Sequence, residues 1–506
     1  MWICERVHTI QSSRGSRPLL GGYFHATRLG GSRIAHLFLR PPSGVPSFTS
    51  FMSLLTHSLS ENRRTLALAM PIIAGHVSQM LMGWADTIMV GRIGIVPLAA
   101  SAFANTILAV PLVFGFGLLS SVSVRASIAH GSGDNGGARS VLRSGLELAM
   151  LAGLLIGTLI SLSVPILPQL GQKPEVNAAC VNYLLLCGWS ILPVLITTAS
   201  KNFAEALSKP WIPFWMLIGA VLLNVFLNWI LIYGNLGAPA MGLDGAGVAT
   251  LIARILSAIA ITAYAFSGRA FAAKETIIRK SGQMASLFKL GLPVGTMHLS
   301  EVGGFAMGSL MMGWLGVNAL AAHQIALTCA ATAFMFPLGL AQAVSVRVGQ
   351  ARGSGFISQC KAIIWGAQGL TVVTMAIFTC FFILAGVPLA AVFVEDSAVV
   401  ALTASLLVIA GIFQIVDGIQ VVSSGALRGF EDVKAPMLIG GFSYWVVALP
   451  ISYLLAFTLG VGPLGVWIGL SVGLGVAAVA LTSRLVHRLK IVQASSKQSH
   501  RLLPEN

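Results

Sequence analysis

Three carboxylates lie inside stretches apolar enough to dissolve in lipid. Asp86 sits in "GWADTIMVG" (Gly83–Gly91), Glu301 in "MHLSEVGGF" and Asp417 in "IFQIVDGIQVVSSGALRGF". A carboxylate at mid-bilayer costs about 2.5–3.5 kcal/mol on insertion scales, so such groups face the protein interior and mark ion or substrate paths. Desolvation favours the neutral acid, which lets a buried carboxylate exchange a proton near neutral pH. The same oxygens can hold Na+ together with amide and hydroxyl groups, and Glu301 and Asp417 are the candidate Na+ ligands. Either ion competes with a cationic substrate for one negative charge. That competition couples inward ion flow to outward cargo flow.

Amides accompany the acids. Gln414 and Gln420 stand three residues either side of Asp417, on nearly the same helix face. Asn224 and Asn228, spaced i and i+4 in "LLNVFLNWILIYG", share a face of the fifth span. They read either as an interhelical clamp or as partners of Asp86. His76, His298 and His323 also fall within spans. A lone helical histidine is ordinarily a packing residue, and His298 is placed with the candidate site lining. Glu147 lies about a turn inside its span, within reach of the surface. Arg254, inside the sixth span, either neutralises a carboxylate or snorkels outward.

The elements that carry these residues follow from composition. The 506 residues are 56% hydrophobic and 9% charged, with mean hydropathy +0.85. A soluble domain carries about a quarter charged residues, so this is an integral membrane protein of all-α, polytopic class. Spans in lipid must be helices, because the backbone has to satisfy its own hydrogen bonds. Twelve apolar runs are long enough: 66–90, 98–125, 141–164, 177–200, 210–234, 245–267, 287–312, 320–347, 363–387, 397–425, 436–458 and 462–486. The lysines and arginines from residue 52 onward divide unevenly. Twenty-two fall on the side of the termini and even loops, two on the other side (Arg92, Lys173), and Arg254 lies within a span. The positive-inside rule therefore places both termini in the cytoplasm of an inner (plasma) membrane protein. The net charge of +15 is a topology signal, with weak contact to anionic lipid heads, and not a nucleic-acid footprint.

A shift of 222 residues aligns 71–133 on 293–355 without gaps, with 23 identities in 63 positions. "SVSVRASIAHGSG" (Ser121–Gly133) falls on "AVSVRVGQARGSG" (Ala343–Gly355), and "GRIGIVPLAA" (Gly91–Ala100) on "GWLGVNALAA" (Gly313–Ala322). The offset spans an even number of helices, so two six-helix lobes run parallel, related by an axis along the membrane normal. Such folds bind cargo near the midplane, between lobes that rock to expose it alternately. The repeat partner of Asp86 is Gly308, while Glu301 lies seven residues earlier on that repeat helix. The lobes thus carry their acids at different places, which predicts two non-equivalent sites.

The expected organisation is a leader at 1–51 that is disordered or precedes the true start at Met52, a first lobe at 52–267, a cytoplasmic linker at 268–286, a second lobe at 287–490 and a tail at 491–506. The six cysteines form no CxxC pair and read as small buried hydrophobes. HExxH, P-loop and GxSxG motifs are missing, and a transporter needs no nucleophile.

From about Met52 to Lys490 the chain resembles the multidrug and toxic compound extrusion (MATE) family in its bacterial NorM-like branch. The likeness rests on "MPIIAGHVSQMLMGWADTIMVGRIG", the duplicated "SVSVR…GSG" segments, "LGLPVGTMHLSEVGGF" and "FQIVDGIQVVSSGALRGFEDVKAPM". It implies efflux of organic cations and drugs driven by Na+ or H+. A monomer with no enzymatic activity and no further cofactor is the accompanying expectation. Asp86 matches the first-lobe aspartate of that family, and Glu301 and Asp417 its paired second-lobe acids. Asn224 and Asn228 fall where the family has polar groups in its fifth helix. Glu205-Ala206-Leu207-Ser208 departs from the Arg-Gly version of the same loop at Leu427-Arg428-Gly429, and the leader is atypical. The competing readings are a flippase for a lipid-linked precursor, an ion channel and an intramembrane enzyme. One span arginine against three acids favours cationic cargo over a pyrophosphate.

Overall fold

A computed structural model describes residues 48–267 and 282–501. Most of the proposed leader, the first fourteen positions of the proposed linker and residues 502–506 lie outside the described residues.

The described chain is helical throughout. We number the spans α1 (Phe48–Gly91), α2 (Ile95–Gly131), α3 (Asn135–Ser163), α4 (Pro174–Ala206), α5 (Trp211–Tyr233) and α6 (Gly242–Phe266). The second set is α7 (Gln283–Leu315), α8 (Val317–Gly353), α9 (Ile357–Ala391), α10 (Ser397–Gly429), α11 (Lys434–Thr458) and α12 (Pro463–Arg501). Eleven of them are long and apolar enough to cross a membrane. The exception, α7, is diluted by Lys289, His298, Ser300 and Glu301, and it enters as the repeat partner of α1.

The helices outrun the apolar runs at their ends. α1 begins at Phe48, inside the segment assigned to the leader, because no Gly or Pro follows Pro46 until Pro71. α12 continues to Arg501, through most of the segment assigned to the tail. α7 starts four residues before the expected 287. Hydropathy marks where lipid ends, while helix-forming polar residues carry the hydrogen-bond ladder further. Two elements depart from regular α-geometry. α4 breaks at Ser190, and α11 contains π-helical turns at Ser443–Ala448 and Leu454–Thr458. Such turns often mark functional sites.

Within each lobe the helices enclose an apolar core. Leu118, Leu119, Leu142, Leu184 and Phe203 are buried in the first lobe, and Leu406, Leu407, Trp467 and Leu474 in the second. The five described cysteines are free, and all but Cys380 are buried. α1 and α7 trade partners across the lobes. Leu68, Ala69 and Ile72 of α1 pack with Leu340 and Val344 of α8, whereas Leu287 of α7 belongs to the first-lobe core.

The repeat is visible in the backbone. Gly133 and Gly355, 222 residues apart, take φ of +75° and +77° in matching turns, a region that glycine enters at no steric cost. α2 and α8 form the seam between the lobes, and their contacts obey a two-fold rule. A side chain at Gly117 would strike Gly295 of α7, and one at the repeat partner Gly339 would strike Ile73 of α1. Gly131 abuts Gln350, and Gly353 abuts Ile128, its mirror. These approaches run from mid-helix, at Gly117 and Gly339, to the ends at Gly131 and Gly353 that carry the basic loops. At the opposite end the repeat partners Ile95 and Val317 are 86% and 83% exposed. The two helices meet at one end only.

Candidate functional site

In the first lobe, α1, α5 and α6 bring polar groups together in a chain. Asp86 Oδ1 accepts from Asn228 Nδ2 at 2.6 Å, Asn228 Nδ2 also donates to Asn224 Oδ1 at 3.2 Å, and Asn224 Nδ2 donates to Thr250 Oγ1 at 3.3 Å. Both asparagines are fully buried. The pairing with Asp86, and not a clamp between the amides alone, is what the geometry selects. Asn228 Oδ1 is buried and accepts no hydrogen bond from the protein. Arg254 does not snorkel; its Nη1 donates to Ser190 Oγ at 2.6 Å, at the break in α4.

In the second lobe, α7, α10 and α11 converge. Asp417 is 4% exposed, and its charge interacts with that of Glu301. His298 Nδ1 lies 3.5 Å from Glu301 Oε2, one turn along α7. The Tyr444 hydroxyl, in the first π-helical segment of α11, donates to Glu301 and accepts from Gln420 Nε2 at 3.2 Å. Gln414 Nε2 donates to the Ala330 carbonyl at 2.5 Å. Asp417 Oδ1, Gln414 Oε1 and Gln420 Oε1 are all buried and accept nothing from the protein. An unpaired buried acceptor costs about 1–3 kcal/mol. Oxygens left so on one helix face suit a small cation or a proton.

The remaining histidines behave as packing residues. Trp467 Nε1 donates to His323 Nδ1 at 3.1 Å, so Nε2 carries the proton and donates to Ser309 Oγ at 2.9 Å. This tautomer is assigned from the network. His76 Nε2 faces Gln342 Oε1 at 3.4 Å. Glu147 pairs with Arg143 at 3.4 Å near the basic end, away from the acids of both sites.

Sequence reading missed a third polar cluster, on the seam. Gln342 Nε2 of α8 donates to Glu205 Oε2 at 2.5 Å and to Asn202 Oδ1 at 3.2 Å, and Lys201 Nζ pairs with Glu205 Oε1 at 3.3 Å. The only sequence signal was that Glu205 departs from the repeat. The duplicated arginines flank it. Arg125 pairs with Glu431 at 2.8 Å and donates to Ser286 Oγ at 3.0 Å, while Arg347 pairs with Glu61 and donates to Thr65 Oγ1 at 2.5 Å. Together they bolt the basic ends of the lobes to each other. Tyr444 and Arg428 were missed as well. Arg428 is buried at the end of α10, and its charge reaches Glu301.

The sequence profile of the family described as MatE matches this chain twice, over residues 71–230 and 293–454. The two matches begin 222 residues apart, the spacing of the repeat. The chain belongs to the MatE family. Relatives within it include a probable multidrug resistance protein NorM of Agrobacterium fabrum, 37% identical over 443 residues, which cover 85% of this chain and 95% of the relative. A protein of the same name from Xylella fastidiosa is 33% identical over 449 residues, 87% of this chain and 96% of the relative. Solved structures share the fold. One described as the outward-facing conformation of a multidrug resistance MATE family transporter superposes with TM-score 0.78 at 20% identity, covering 85% of this chain and 96% of that one. A MATE crystal structure in a bent conformation gives 0.80 at 19% identity, covering 88% and 99%. The expected twelve-helix, two-lobe architecture is the fold of this family, a family of transporters and not of enzymes.

Proposed function

We propose that this chain is a secondary active multidrug efflux antiporter of the inner (plasma) membrane, exporting organic cations in exchange for inward Na+ or H+. The observation that carries the reading is the second-lobe site. Two acids from different helices, buried Asp417 and half-buried Glu301, interact through their charges, and Asp417 Oδ1 stands with Gln414 Oε1 and Gln420 Oε1 as buried acceptors that the protein leaves unpaired. A site so built attracts positive charge, and a cation or proton bound there opposes a cationic drug. The names of the relatives support the cargo class. The lysines and arginines assign the basic end, and with it both termini, to the cytoplasm, and the close approach of the lobes toward that end supports an outward-facing state. The protein works as a monomer, each lobe supplying half of the path.

The flippase reading loses support from the same acids, since a pyrophosphate would be repelled. Cells lacking other efflux systems provide the test. Expression of the full chain is expected to lower ethidium accumulation severalfold and to raise drug tolerance, with collapse of the ion gradient abolishing both. Unchanged accumulation in cells that display the protein would rule out drug export.

A further inference from the structure

The two lobes differ in charge. Lobe 2 places Glu301 and Asp417 together, with Arg428 about three turns of α10 beyond Asp417 at the basic end. The polar chain of lobe 1 has one acid, Asp86, joined through Asn228 and Asn224 to Thr250 on α6. Arg254 stands four residues after Thr250 on that helix, and residues so spaced share a face. Its guanidinium therefore emerges one turn from the end of the Asp86 chain. It is held inward by Ser190, whose own hydroxyl is tied to the Cys187 carbonyl at 2.6 Å. There its charge acts on Asp86, Tyr183 and Cys187, yet among the described residues it forms no ion pair with a carboxylate. Matching Gly247-Val248 to Gly465-Val466 of the repeat puts Val472 at the corresponding place in lobe 2. Lobe 2 has no cation at that place; its buried Arg428 acts on Glu301 and leaves two acids to one cation.

We propose that Arg254 is a resident counter-cation for Asp86, a positioning residue that keeps the first-lobe site near electrical neutrality and so reserves strong cation binding for Glu301 and Asp417. The proposal rests on the reading of the chain as a cation antiporter. The physics is simple. A fixed positive charge near a single acid in a poorly polarisable interior offsets the field that would draw in a mobile cation, while two acids set against one cation keep a net negative charge and invite another. The bond to Ser190 holds the guanidinium in place, and Asp86 keeps its asparagine bond while its net attraction falls.

Binding of tetraphenylphosphonium, a permanent cation, to the purified full chain tests this. Arg254→Gln keeps a donor for Ser190 and removes the charge; it is expected to tighten binding about tenfold at the first-lobe site. Arg254→Lys keeps the charge and is expected to match the parent. In an Asp86→Asn background the Arg254→Gln change should shift binding less than twofold. Should Arg254→Gln prove unstable, adding Asp86→Asn should restore its thermal midpoint, since an unbalanced buried acid would be the cause. Unchanged binding in Arg254→Gln, equal tightening with and without Asp86, a lysine variant that behaves like glutamine, or instability that Asp86→Asn does not repair would each overturn the proposal. Failure of the antiporter reading is distinguishable, because then the parent would bind tetraphenylphosphonium without any gradient driving its transport.

Discussion

Asp417→Asn is expected to abolish exchange in proteoliposomes, a loss of at least about a thousandfold in initial rate, while the protein inserts and purifies normally. The substitution is nearly isosteric. It keeps the shape that α10 presents between Gln414 and Gln420, and it keeps an acceptor where Asp417 Oδ1 now stands unpaired. What it removes is the charge that interacts with Glu301. Asn can neither take up a proton nor balance Na+, so the competition that couples two flows has no seat. Stability should move the other way. Asp417 is buried with no cation bonded to it among the described residues, and a desolvated charge costs several kcal/mol. The thermal midpoint of Asp417→Asn is therefore expected at or above that of the parent, as for many active-site acids whose removal stabilises the fold. Lost exchange with a lowered midpoint would mean that Asp417 is a packing residue. Retained exchange would remove it from the coupling site.

Gly117→Leu is expected to stop transport by a different route. An ideal Cβ at Gly117 would lie 2.5 Å from the Gly295 Cα and 2.7 Å from its nitrogen. Both are backbone atoms of α7, so no side chain can swing aside and the lobes must part along the seam. Overpacking of this kind costs about 1–3 kcal/mol or more. A penalty of about 3 kcal/mol on one of two states lowers its population roughly a hundredfold. Each lobe keeps its own core, so the fold should survive. The two-fold rule makes the prediction specific: Gly339→Leu, whose side chain would meet Ile73 of α1, should impair transport to a similar degree. Initial rates with size-exclusion profiles check both. Normal transport in either variant would show that the seam does not need to close as tightly as the structure has it.

Most of the architecture could be read from residues alone. Apolar runs marked twelve spans, eleven of which are apolar enough to cross a membrane while α7 stands as the repeat partner of α1, and the single offset of 222 gave the lobes and their parallel orientation. It also located the Gly133 and Gly355 turns. The Asp86–Asn228 bond was legible in part, because the i, i+4 spacing of Asn224 and Asn228 defines a face but not what lies opposite. Tyr444 was invisible: a tyrosine in an apolar run carries no charge signal, and its role comes from a π-helical turn that aims it at Glu301. Gln342 and Glu205 lie 137 positions apart, in different lobes. No local pattern pairs residues at such distance, so the polar seam emerged only with the packing of α4 against α8. Helix ends were misjudged for a simpler reason. Hydropathy reports lipid, and the helices do not stop where lipid does.

A coupled antiporter must move a drug through itself on an ion gradient. Proteoliposomes loaded with ethidium and given an inward Na+ gradient or an inward H+ gradient, one at a time, measure that directly. We expect at least one gradient to drive ethidium against its own concentration difference, with the drive lost in Asp417→Asn and Glu301→Gln. Ethidium flux that only equilibrates under both gradients, or that is unchanged by loss of both acids, would contradict the coupled-antiporter mechanism.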